Sequence, residues 1–156
     1  VERIRKKVDD QMKVSLLAVA LLVLPTLVLI ALIATLAVTA GDHANLVLLY
    51  GFTIFFGWLT AIILGMTFKT LPFIVWNKVY RHRAALGKMP NPKDLFSHPV
   101  YKAMGITYLA GFVLFGAGIL LQVVVLLQAG AVVLLAAAFL YNWNVMKLLT
   151  HKPFKK

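Results

Sequence analysis

Four long apolar runs, three of them at least 22 residues without a charge, constrain this chain more than any motif does. The first, Val14 to Val38, holds 25 uncharged residues, about 37 Å of helix at 1.5 Å per residue. That length crosses a hydrocarbon layer of about 30 Å with room for tilt. Pro25 lies inside the run and predicts a kink, a defect that membrane helices tolerate. The second run is uncharged from Leu46 to Phe68, is interrupted by Lys69, and resumes from Leu71 to Trp76 around Pro72. The third covers Ile106 to Leu127 and the fourth Ala131 to Met146. Of the 156 residues 62% are hydrophobic, where a soluble domain has about 45–50%. Lipid is the sink for that surplus.

The expected fold is therefore all-α and integral to the membrane: one domain over residues 1–156, an up-and-down bundle of four transmembrane helices. Their predicted bounds are 14–38, 46–76, 102–127 and 130–149, with a long loop at 77–101. Gln128-Ala129-Gly130 reads as a tight turn, which makes the last two helices an antiparallel hairpin. Asn91-Pro92-Lys93-Asp94 reads as the start of a short interfacial helix, with Asn91 as N-cap and Pro92 in first place. Pro99 closes the loop. The charged opening VERIRKKVDD begins on Val1 and leads into no signal-peptide pattern, so the expectation is either trimmed leading residues or the C-terminal piece of a longer polytopic protein.

Charge placement gives the expected orientation. Arg3, Arg5, Lys6, Lys7 and Lys13 precede the first run. Lys69, Lys78, Arg81, Arg83, Lys88, Lys93 and Lys102 belong to the second-to-third connection, and Lys147, Lys152, Lys155 and Lys156 to the tail. These are all sixteen Lys and Arg residues, and they fall on one side. The positive-inside rule puts both termini and the long loop in the cytoplasm, here of a bacterial inner membrane. Basic residues that flank apolar spans mark topology, and so the net charge of +11 does not argue for nucleic acid. The partners expected are the bilayer and other transmembrane helices, in a larger assembly or a homo-oligomer.

Few side chains offer chemistry. Absence of cysteine excludes disulfides, thiolate nucleophiles and iron–sulfur clusters. The five acids (Glu2, Asp9, Asp10, Asp42, Asp94) lie outside the runs, whereas an ion or proton path normally needs an intramembrane acid. None of the four histidines, His43, His82, His98 and His151, falls in a helix interior, so a bis-histidine haem within the bundle is not expected. His82 and His98 read as solvated loop residues, with a shared loop metal as the alternative. No metal, catalytic or cofactor-binding residue is assigned, and haem belongs only to a missing portion or a partner.

The second run carries Thr53, Gly57, Ala61 and Gly65 every four residues, and Lys69 continues the stripe. Small residues at that spacing let another backbone approach closely. The stripe reads as a helix-packing seam with a snorkelling lysine, or alternatively as a pathway ending on a buried amine. In the third run Thr107, Gly111, Gly118 and Gln122 share a face, with Gln122 as interhelical glue near the outer side. Tyr141-Asn142-Trp143-Asn144 reads as an aromatic belt with asparagine caps, a quinone or headgroup site being the alternative.

One segment resembles a known family. Lys69-Thr70-Leu71-Pro72-Phe73-Ile74-Val75-Trp76, followed by the basic loop to Met89-Pro90-Asn91-Pro92-Lys93-Asp94-Leu95, is similar to the end of bacterial polytopic proteins related to haem–copper oxidase subunit I. There a Lys-x-x-Pro-Phe-x-Val-Trp segment closes a late helix. The resemblance covers Gly65 to Leu95 and implies a respiratory assembly with further helices upstream. The family's oxidases hold metal-binding histidines in the corresponding helix. This helix has none, so the resemblance implies a ligand-poor relative, and oxygen reduction is not carried over. The expected function is a non-catalytic membrane subunit or C-terminal fragment of such an assembly. The alternatives are part of a transporter or channel lined by the second helix, and a structural or engineered four-helix scaffold.

Overall fold

The structure is a computed structural model that describes residues 10–39, 41, 43–81 and 91–151. Among them lie four helical stretches long and apolar enough to cross a membrane: Leu16–Val38, Ala44–Tyr80, His98–Leu121 and Val124–Leu149. Helix is the only viable open-chain solution in lipid, because every backbone N–H and C=O must then be satisfied within the segment. The spans expose apolar side chains on outward faces, as with Val132, Leu135, Phe139 and Met146 on the last one. Such surface suits hydrocarbon and not water.

The first span is two helices, α1 (Asp10–Leu21) and α2 (Val23–Val38), joined at Leu22. The predicted proline kink is thus a break three residues upstream of Pro25, where Leu22 N–H turns back to the Val19 carbonyl at 3.2 Å. Pro25 has no N–H to give the preceding turn. The carbonyl that loses its donor is that of Leu21, and the Thr26 hydroxyl donates to the neighbouring Leu22 carbonyl at 3.1 Å.

The second span runs through α3 (Ala44–Phe52), a wide π-helical stretch (Thr53–Leu59) and α4 (Thr60–Tyr80). Pro72 sits buried within α4 without ending it, and the helix continues four residues beyond the expected Trp76. After it, Pro92–Leu95 forms the anticipated short helix, of 3₁₀ type. Asp94 N–H donates to the Asn91 carbonyl at 2.9 Å, and the Asp94 carboxylate accepts the Asn91 N–H at 3.3 Å. Helix α5 (His98–Leu121) begins earlier than expected, with Pro99 inside its first turn, a position that needs no N–H.

The hairpin stands, but its turn does not lie at Gln128-Ala129-Gly130. Those residues are inside α6 (Val124–Leu149), and the chain reverses at Gln122–Val123. Gln122 adopts a left-handed conformation, φ 56° and ψ 32°, and its N–H caps the Gly118 carbonyl. It is exposed and ends the helix. Gly130 misled because its smallness serves packing. A Cβ there would lie 2.6 Å from the Phe115 nitrogen, and one at Gly111 or Gly118 would lie 2.9 or 2.8 Å from the nitrogens of Leu134 or Leu127. The pairs 111 with 134, 115 with 130 and 118 with 127 run in opposite directions at one register. This backbone-to-backbone seam fixes the antiparallel pair.

Aromatic contacts hold the second span against α5. Phe52 stacks on Phe112 and Phe115 at 5.2 and 4.8 Å, and Phe68 packs edge-on against Tyr101 at 5.1 Å. Numbers that rise on one helix fall on the other, so these spans are antiparallel as well. Phe68 also meets Tyr141, and Tyr80 meets His151, which makes the second and fourth spans parallel. Helix α1 covers α4, where Ala18 and Ala61 are each 0% exposed. Among the described residues the bundle is up-and-down.

Two substitutions test the hairpin. Gly130→Ala forces a methyl into the Phe115 backbone and should destabilise the chain by about 1–3 kcal/mol, the usual cost of overpacking. Gln122→Gly relieves a left-handed side-chain-bearing residue and should stabilise it by about 1 kcal/mol. Reversible unfolding in detergent or bicelles measures both.

Candidate functional site

Within the second span, regular helix geometry yields at the π-helical stretch. From Thr53 to Leu59 the backbone follows the wider π pattern, and the Thr60 N–H reaches back five residues to the Phe55 carbonyl. The Thr60 hydroxyl donates to that same carbonyl at 2.8 Å. Widening displaces carbonyls from the α-helical ladder, and π turns concentrate at functional positions for that reason. The displaced carbonyls here are received by α5. The Tyr108 hydroxyl donates to the Phe56 carbonyl, with the Gly57 carbonyl at 3.3 Å. Tyr108 was not singled out in the sequence, and a tyrosine within an apolar run is its only signal.

The small-residue stripe meets this region. Thr53, Gly57, Ala61 and Gly65 are all buried. A Cβ at Gly57 would come 3.2 Å from the Phe112 ring, so the stripe lets this chain's own α5 approach. Lys69, one turn further on, is exposed.

Two apolar cavities flank Tyr108. One, of about 310 Å³, is lined by Leu17 of the first span, Ala61 and Leu64 of the second, and Tyr101 through Leu109 of α5 in part. The other, of about 240 Å³, lies between Phe56, Thr60, Leu134, Ala137 and Tyr141. Leu64 and Tyr108 border both.

No family model, curated protein or solved structure matches the chain.

At the basic end, Asn144 is 0% exposed and not a belt residue. Its Oδ1 accepts the Ser97 N–H at 2.9 Å, and its Nδ2 donates to the Ser97 carbonyl at 3.1 Å. This two-bond clamp ties α6 to the start of α5. Beside it Trp143 is exposed, as a belt requires, and the Tyr141 hydroxyl donates to the Thr67 hydroxyl at 3.3 Å. Tyr80 and His151 close the same end through a 3.0 Å hydroxyl–imidazole hydrogen bond. His43 donates to the Thr39 carbonyl at 3.1 Å in the opposite turn, and His98 packs on Phe96. His82 lies outside the described residues. Among those described, no three histidines or acids stand close enough to hold a metal ion.

Removing the Tyr108 hydroxyl (Tyr108→Phe) should lower stability by about 0.6–1.7 kcal/mol, the range of hydrogen bonds between membrane helices. Asn144→Ala strands both backbone groups of Ser97 and should cost about 1–3 kcal/mol. Ser97→Ala keeps the backbone pair and should be near neutral. Equal effects of the two last substitutions would contradict the clamp.

Proposed function

We propose that this chain is a non-catalytic integral membrane subunit, or a segment of one, in a haem–copper-type respiratory assembly of a bacterial inner membrane. One observation carries the non-catalytic reading. Many polar side chains within the described spans hold the helices: Thr26, Thr35, Thr60, Thr67 and Thr70 donate to carbonyls of their own helix. Tyr108, Tyr141 and Asn144 instead join one helix to another. A reaction or an ion path needs groups whose hydrogen bonds change during turnover, and these are committed to structure. The respiratory assignment rests on the resemblance of the Lys69–Trp76 segment and the loop to Leu95.

In this reading both termini and the long loop face the cytoplasm. The support is the sequence order: all sixteen Lys and Arg residues fall before the first apolar run, between the second and third, or after the fourth, while the segments 39–45 and 122–123 have none.

Extracted from its host membrane in mild detergent, the chain should migrate within a complex larger than itself that carries haem absorbance. The purified chain should show no Soret band of its own. A haem spectrum retained by the isolated chain would overturn the proposal. Orientation has a separate check: a fluorescent reporter on the C-terminus should light up, and alkaline phosphatase inserted at Gln122–Val123 should be active.

A further inference from the structure

The 310 Å³ cavity between the first span, the second span and α5 has a composition that selects its occupant. Among the described residues its walls are mostly apolar, including Leu17, Leu64, Met104 and Leu109, and one charged side chain, Lys102, borders it. Two phenols also border it: the Tyr108 hydroxyl is committed to the Phe56 and Gly57 carbonyls, and the Tyr101 hydroxyl is buried at the level of Lys102. The cavity therefore has a hydrocarbon interior and a cationic rim.

Depth distinguishes the two ends. Phe68 and Tyr101 are in contact at 5.1 Å, which puts their neighbours Lys69 and Lys102 at the same level of the bundle. Both lysines are exposed, on the side where the basic residues gather. Lysines at the ends of apolar spans mark the headgroup level. The cavity extends from Lys102 along α5 to Leu109, two turns toward the hydrophobic middle.

Gly105 supplies an independent observation. Gly111, Gly118 and Gly130 are small because a neighbouring backbone leaves no room for a methyl. At Gly105 a Cβ would meet nothing within 4 Å, although the residue lines the cavity one turn from Tyr101 and Lys102. Gly105 thus borders open space, which a larger side chain would fill in part.

We infer that this cavity is a site for one anionic phospholipid, with part of an acyl chain between Leu17, Leu64, Gly105 and Leu109 and the phosphate at Lys102. The volume is about twice the ~150 Å³ that holds a benzene molecule in a dry protein cavity, so it accommodates a stretch of one chain. Charge complementarity chooses an anionic over a zwitterionic headgroup. The inference needs only the membrane-spanning fold and is independent of the assembly proposed above.

Native mass spectrometry of the full chain, delipidated and titrated with phosphatidylglycerol or phosphatidylcholine, tests it. The wild type should retain one phosphatidylglycerol in preference to phosphatidylcholine. Lys102→Gln should weaken phosphatidylglycerol about fivefold, as loss of one headgroup–lysine contact implies, and erase the preference. Lys69→Gln, at the same depth but off the cavity, should leave retention unchanged. Gly105→Phe fills the space and should abolish retention of both lipids. A measurement without any variant is photo-crosslinking with phosphatidylglycerol carrying a mid-chain diazirine, which should label Leu17, Leu64 and the Met104–Leu109 segment. Failure of the wild type to retain lipid overturns the site, as do equal losses from Lys69→Gln and Lys102→Gln, full retention by Gly105→Phe, or labelling confined to other segments.

Discussion

Hydrocarbon offers a peptide group no hydrogen-bond partner, and each departure from the α-helical ladder inside this bundle has to be repaired from within. Beside the break before Pro25, the Thr26 hydroxyl adds a bond to the Leu22 carbonyl from its own helix. At the π-helical stretch it comes from Thr60 on the same helix and Tyr108 on the next. The start of α5 belongs to the same economy, with Asn144 presenting an amide to both backbone groups of Ser97. Because the repair groups come from neighbouring helices in the last two cases, local irregularity is also what registers one span against another. The polar residues of the spans are thus read first as structural.

The four spans were legible because apolarity without amphipathic periodicity has one common cause, immersion in lipid. Their connections were less so. Gly130 looked like a turn residue by soluble-protein logic, in which glycine breaks helices. In a membrane helix glycine is tolerated and admits a neighbouring backbone, which is its use against Phe115. Gln122 carries no signal for the left-handed conformation it adopts, since the sequence Leu-Leu-Gln-Val-Val shows neither glycine nor asparagine there. The turn falls there because the 111–134, 115–130 and 118–127 contacts fix the register, a non-local constraint.

The candidate site was half visible. Spacing of four marked Thr53, Gly57, Ala61 and Gly65 as one face of a helix, and that face is buried. The partner was not visible, because nothing local ties Gly57 to Phe112 or Phe56 to Tyr108, some fifty residues apart. Nor does composition announce a π turn, whose stabilisation here is a phenol on another helix. Asn144 shows the same gap: an asparagine near a basic end reads as a cap, and only the fold brings Ser97 to it.

Two kinds of contact account for where space remains in the bundle. Between α5 and α6, glycines bring backbone against backbone, and contacts of that kind leave no room for a methyl group. Between the second span and α5, aromatic rings set the spacing, with centroids 4.8–5.2 Å apart at Phe52, Phe112 and Phe115. Rings are rigid plates, and a helix pair propped on them cannot collapse onto smaller neighbours. Between the Phe52 stack and the Phe68–Tyr101 pair lie Ala61 on one helix and Gly105 on the other, which border the cavity together with Leu64, Met104 and Tyr108. A gap between two such props is the expected result, and the 310 Å³ cavity lies in that interval. In water it would favour collapse or a loose core. In a bilayer it opens onto acyl chains, which fill it without a desolvation cost.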